Sequence, residues 1–172
     1  LTPKVNGILR FDKPPLIYWL MSFFYSLPNS DDWDNLGTIC ARLPSALASL
    51  FLMLTIADTV FCWPQKGSTR FFTPIVASLA FALSPLIIIW SRTAVSDALL
   101  CGTMGISLLL FWRRMASDKN CECITPWFFL SFAILSKGPV AFVLVAITIS
   151  SFLFTQKNWN ILLLKINLKK GL

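Results

Sequence analysis

Histidine is absent from this 172-residue chain, and only 13% of its residues are charged. The first absence removes the commonest general base and the commonest metal ligand. The second argues against a water-soluble globule, in which about 25% of residues are charged. Cysteine occurs five times, at Cys40, Cys62, Cys101, Cys121 and Cys123, and never in a CxxC spacing. That pattern argues against a zinc framework or a disulfide scaffold. Repeats, low-complexity tracts, a secretory signal pattern and an initiator Met are also lacking. The chain begins inside a polar loop and stops without a closing element, so a piece of a longer protein is expected.

What the chain does have is apolar bulk. Hydrophobic residues make up 56% of it, and the mean hydropathy is +0.69. The class implied is all-α: a polytopic integral membrane protein with transmembrane helices plus an interfacial helix. The net charge of +7 would suggest nucleic acid in a soluble protein. Here the charges flank apolar runs, so membrane topology accounts for them and no nucleic-acid partner is expected.

Residues 1–13 read as an outer polar loop. Residues 14–28 are apolar and aromatic but too short to span, and Tyr18, Trp19 and Tyr25 suit a helix lying in the interface. Residues 29–35 form an acidic loop. Spans follow at about 36–62, 71–90 and 98–112, then at about 126–136 and 138–154. The last two are split at Ser136-Lys137-Gly138-Pro139, a helix-breaking sequence. The positive-inside rule supports the split. With two helices, Lys66, Arg70, Arg113, Arg114, Lys119, Lys157, Lys165, Lys169 and Lys170 all share the cytoplasmic side, as do Cys121 and Cys123. With one helix, the last four lysines face outward. Two such short helices would leave their junction below the membrane surface, where Lys137 needs water or an anion beside it.

This topology gathers cations on the translocated side, against the usual bias. The sharpest feature is Arg10-Phe11-Asp12-Lys13-Pro14-Pro15-Leu16-Ile17-Tyr18-Trp19-Leu20, where charges stop at a double proline and an aromatic stretch begins. Lys13 stands at headgroup depth, where an ammonium neutralises a lipid phosphate or simply snorkels. Asp12 has several roles open to it: orienting Lys13, contacting an acceptor, binding a metal, or a local ion pair. Lys137 either faces a phosphate as a second cation or satisfies helix-end carbonyls. Arg92 either pairs with Asp97 to hold their turn or faces a cavity. Asp97 either caps the following span or joins a site. Arg42 is expected to anchor a helix start with Pro44 in its first turn. Asp58 is expected to meet water or a partner helix.

The Arg10–Leu20 segment resembles the motif after the first outer loop of polyprenol-dependent membrane glycosyltransferases, the GT-C superfamily. That group includes the dolichyl-phosphate-mannose-protein mannosyltransferases and the lipid A aminoarabinose transferases. Arg42-Leu43-Pro44-Ser45-Ala46-Leu47, Ser91-Arg92-Thr93-Ala94-Val95-Ser96-Asp97 and Ser136-Lys137-Gly138-Pro139 resemble further stretches of it, in order. The resemblance implies transfer of a sugar from a polyprenyl phosphate carrier to a lipid or protein acceptor, at the external or periplasmic face of the plasma (inner) membrane. It also implies an inverting displacement, with Lys13, Lys137 and Arg92 binding the donor phosphate, and Asp12 and Asp97 as acceptor or metal contacts. No cofactor is predicted, and no ligand set in the sequence supports a divalent metal. The family's catalytic carboxylate lies upstream of the Lys-Pro-Pro motif, and residues 1–11 hold no acidic residue. The base is therefore expected before Leu1, and residues 1–172 alone are expected to be inactive. A transporter or a non-enzymatic membrane subunit is the alternative, because cavity-facing charges also serve substrate paths.

Overall fold

The computed structural model describes residues 4–5, 8–9, 14–26, 36–63, 70–116 and 124–155. A short antiparallel ladder pairs β1 (Lys4–Val5) with β2 (Ile8–Leu9), in the register Lys4 with Leu9 and Val5 with Ile8. The other elements among the described residues are helices: α1 (Leu16–Tyr25), α2 (Leu36–Cys62), α3 (Phe72–Ala82), α4 (Pro85–Arg92), α5 (Ser96–Ala116), α6 (Ile124–Lys137) and α7 (Val140–Thr155). This is the all-α architecture that the composition implies.

Helices α2 and α5 are long and apolar enough to cross a bilayer. At about 1.5 Å per residue, α5 alone reaches about 30 Å. Helix α1 has 10 residues and cannot cross on its own. It buries Leu16 and Ile17 and exposes Trp19 and Phe23. Ile17 packs with Ala48 of α2 and Leu99 of α5.

Two helix boundaries differ from the sequence expectation, for local reasons. Helix α2 begins at Leu36, so Pro44 lies buried inside it and Arg42 is exposed on its second turn rather than at its start. The stretch expected as one span at 71–90 is two helices, α3 and α4, which meet at 65°. Ser84 is extended there (ψ 126°), and Pro85 has no N–H to continue the helix. A similar break separates α6 from α7. Gly138 adopts φ +81°, a left-handed conformation that glycine takes without steric cost.

Helices α2 and α5 run parallel, because α3 and α4 carry the chain back between them. Their contact is close. A Cβ at Gly102 would meet Ala48 Cβ and the Ala48 carbonyl oxygen at 2.9 Å. One at Gly105 would meet only the Leu52 side chain, also at 2.9 Å. Backbone yields less readily than a leucine tip. Gly102→Ala is therefore expected to destabilise the α2–α5 pair by about 1–3 kcal/mol, and Gly105→Ala by less. Unfolding midpoints in a graded SDS titration check the order.

Candidate functional site

Three of the four sequence motifs converge at one end of the bundle, and buried serines bring them together. Ser45, in the α2 motif, is fully buried and donates to the Val95 carbonyl at 3.3 Å. Ser136, ahead of Lys137, is also fully buried and donates to the Ser96 carbonyl at 3.0 Å. Val95 and Ser96 form the entry to α5. Hydroxyls that cross between apolar helices in this way satisfy themselves while fixing register. A third, Ser107, donates to the Pro126 carbonyl at 2.9 Å and fixes α6 antiparallel to α5.

With that register set, Lys137 Nζ donates to Asp97 Oδ1 as an ion pair. Asp97 lies in the first turn of α5 and Lys137 in the last turn of α6. Each charge therefore also complements its own helix dipole. The anion that Lys137 was expected to need is the Asp97 carboxylate. Both side chains remain partly exposed, at 46% for Lys137 and 33% for Asp97, and so are open to a ligand.

The Ser136–Ser96 bond sets Lys137 level with the start of α5. Pro126, near the other end of α6, meets Ser107 well inside α5.

Arg92 ends α4 at this same end of the bundle and is exposed. Among the described residues Asp97 pairs with Lys137, not with Arg92. Lys13 and Asp12 lie outside the described residues. The helix that follows them is described, and its Ile17 packs on Leu99, two residues beyond Asp97. Between α1, α2, α5 and α6 runs an apolar cleft of about 280 Å³, lined by Leu20, Phe24, Phe51, Leu99, Ile106 and Phe128 among others. Among the described residues, no three His, Cys, Asp or Glu side chains gather into a metal-binding group.

The opposite end of the bundle is different. Arg113 of α5 forms an ion pair with Asp58 of α2 and donates to Cys62 Sγ at 3.4 Å. Asp58 therefore meets a partner helix, one of the two surroundings expected for it. Asp97 and Arg113 are separated along α5 by about 24 Å, so the two ion pairs bracket an apolar slab close to the thickness of a hydrocarbon core. Sequence reasoning missed both pairings. The signal was available in the polar residues that interrupt apolar helices: Ser45, Ser107 and Ser136 mark where helices touch.

These features define an all-α membrane protein with a cation and a carboxylate paired at one end of its bundle. It belongs to the family described as dolichyl-phosphate-mannose-protein mannosyltransferase, whose profile matches residues 12–169. A relative from Aquifex aeolicus (strain VF5), carrying the name "Uncharacterized protein", is 28% identical over 168 residues, covering 96% of this chain and 31% of its own length. A relative from Bacillus subtilis (strain 168), carrying the name "Putative mannosyltransferase YycA", is 25% identical over 155 residues, covering 88% of this chain and 21% of its own length. The chain thus spans less than a third of either relative. No solved structure matches it.

Proposed function

We propose that the whole protein is a membrane glycosyltransferase that moves a sugar from a polyprenyl phosphate carrier to a lipid or protein acceptor on the outer face of the plasma membrane. The observation that carries this reading is the convergence of three motifs on the Lys137–Asp97 pair, at the edge of the apolar slab and above an apolar cleft. An isoprenoid tail matches the cleft, and a phosphate matches the ammonium at its head. Family membership supports the same chemistry.

In this reaction an acceptor oxygen attacks the anomeric carbon as the bond from that carbon to the phosphate oxygen breaks. A carboxylate base takes the acceptor proton, and the lipid phosphate leaves with the bonding electrons. Lys137, Lys13 and Arg92 stabilise the charge that builds on the departing phosphate. Asp97 holds Lys137 until phosphate arrives. Asp12 and Asp97 contact the acceptor or orient cations rather than take the proton.

The test is transfer by the whole protein in liposomes, from a radiolabelled polyprenyl-phosphate sugar to lipid or protein acceptors, combined with topology fusions. Label is expected in the acceptor fraction. A reporter fused after Arg92 is expected to read external, and one fused after Lys119 cytoplasmic. Failure of transfer from every polyprenyl-phosphate sugar would overturn the reading. A cytoplasmic signal after Arg92 would move the site to the inner face.

A further inference from the structure

We infer that Asp97 drives the spent carrier off the protein, by competing with the product, a polyprenyl monophosphate, for the Lys137 ammonium. This step rests on the sugar-transfer reading above and adds product release to it. A cation that stabilises a departing phosphate also holds that phosphate after it has departed. Here the hold tightens on turnover. The donor is a phosphodiester with a single negative charge. The bond that breaks leaves a monoester, whose charge at pH 7 is about −1.5 to −2, as for a phosphorylated side chain. A site made of cations alone would bind its product better than its donor.

The fold supplies a tethered competitor. Lys137 Nζ donates to Asp97 Oδ1. The residues just before the two, Ser136 and Ser96, are joined by a hydrogen bond of 3.0 Å from a fully buried hydroxyl. Gly138, at φ +81°, closes α6 directly after Lys137. The backbones that carry the pair are therefore held together whether or not the pair is made, and the carboxylate keeps a high local concentration beside the ammonium. The pair is also weak enough to open. Its side chains are 46% and 33% exposed, and a pair so exposed favours the closed form by about fivefold at most. Among the described residues the other carboxylate, Asp58, is paired with Arg113 at the opposite end of the bundle. Asp97 is thus the described anion placed to act on this phosphate. Donor binding opens the pair. Transfer raises the charge on the phosphate, and the nearby carboxylate repels it and takes Lys137 back as it leaves. That repulsion grows with the phosphate charge, so it weighs more on the monoester than on the diester.

Binding to the whole protein in nanodiscs tests this, with two probes that need no sugar. Farnesyl monophosphate stands for the product, and methyl farnesyl phosphate is a diester of the same tail with one charge. Asp97→Asn is expected to tighten the monophosphate about fivefold, the competition of one exposed ion pair, and the diester by less. Asp97→Glu keeps the charge and is expected to keep the wild-type affinities. Asp97→Asn/Lys137→Met is expected to bind no more tightly than Lys137→Met. In sugar transfer, the steady-state rate of Asp97→Asn is expected to fall further below wild type than its single-turnover rate, because release has become limiting. Circular dichroism of each variant checks that the helices persist. If the wild-type protein binds the monophosphate and Asp97→Asn binds it no more tightly, the competitor role is overturned and the transfer reading stands. Tightening that persists without Lys137 would overturn it as well. A wild-type protein that binds neither probe would overturn the phosphate reading itself, and product release with it.

Discussion

Lys137→Met in the whole protein is expected to lower sugar transfer about 100- to 1000-fold while leaving membrane insertion intact. The magnitude is that of removing one preorganised donor to developing charge, about 2.7–4 kcal/mol. Lys137 sits where such a donor would be effective: at the last turn of α6, aligned by Asp97 and by the buried Ser136–Ser96 hydrogen bond. The structural cost of the substitution is small by comparison. An ion pair this exposed stabilises a fold by less than about 1 kcal/mol, and methionine keeps the apolar stem. Asp97→Asn should cost less than Lys137→Met, because the ammonium remains and loses only its orientation. The double variant should then be no worse than Lys137→Met alone, since residues that act as a unit are not additive. Transfer rates at saturating donor, with extraction by detergent as the insertion control, decide it. Wild-type transfer by Lys137→Met would remove this residue from the mechanism. An additive double variant would show that Asp97 acts independently.

The geometry behind that prediction was only half legible in the sequence. Composition alone called for helices in a membrane, because 13% charge leaves too little polar surface for a soluble globule. The break at Gly138 was also readable, since Lys-Gly-Pro both frees a donor-less residue and offers a left-handed one. The bend at Ser84-Pro85 carried an equivalent signal that the surrounding apolar run concealed. An average of hydropathy over residues 71–90 does not register one extended residue before a proline. Pairings were least legible of all. Whether Asp97 meets Arg92, five residues away, or Lys137, forty residues away, depends on the register of α5 against α6. That register is set by single hydroxyls, Ser107 on Pro126 and Ser136 on Ser96, and by the close approach at Gly102. Such contacts have no periodicity to detect. They appear in the sequence only as isolated small or polar residues within apolar helices.

The same dependence on packing leads to the second large effect, at a residue that lies outside the described ones. Lys13→Ala in the whole protein is expected to abolish sugar transfer to a similar extent, about 100- to 1000-fold. Lys13 precedes Pro14 and Pro15, and proline fixes its own φ near −65°, so the chain enters α1 along a restricted path. Ile17, four residues on, is buried with Leu99 and Ala48, just beyond Asp97 and Ser45. A cation tethered this closely to the start of α1 serves the same phosphate as Lys137 under the proposed reaction. Charge rather than shape should then decide the outcome. Lys13→Arg should recover most of the transfer that Lys13→Ala loses, because both cations neutralise a phosphate. The Lys13→Ala/Lys137→Met pair should approach the rate of the weaker single variant, because one leaving group is being stabilised by both. Single-turnover transfer from a polyprenyl-phosphate sugar, with protein inserted to wild-type levels, measures all four. Wild-type turnover in Lys13→Ala would remove the Lys-Pro-Pro motif from phosphate binding. An arginine variant as inactive as alanine would show that position 13 acts through the compact geometry of an ammonium and not through charge alone.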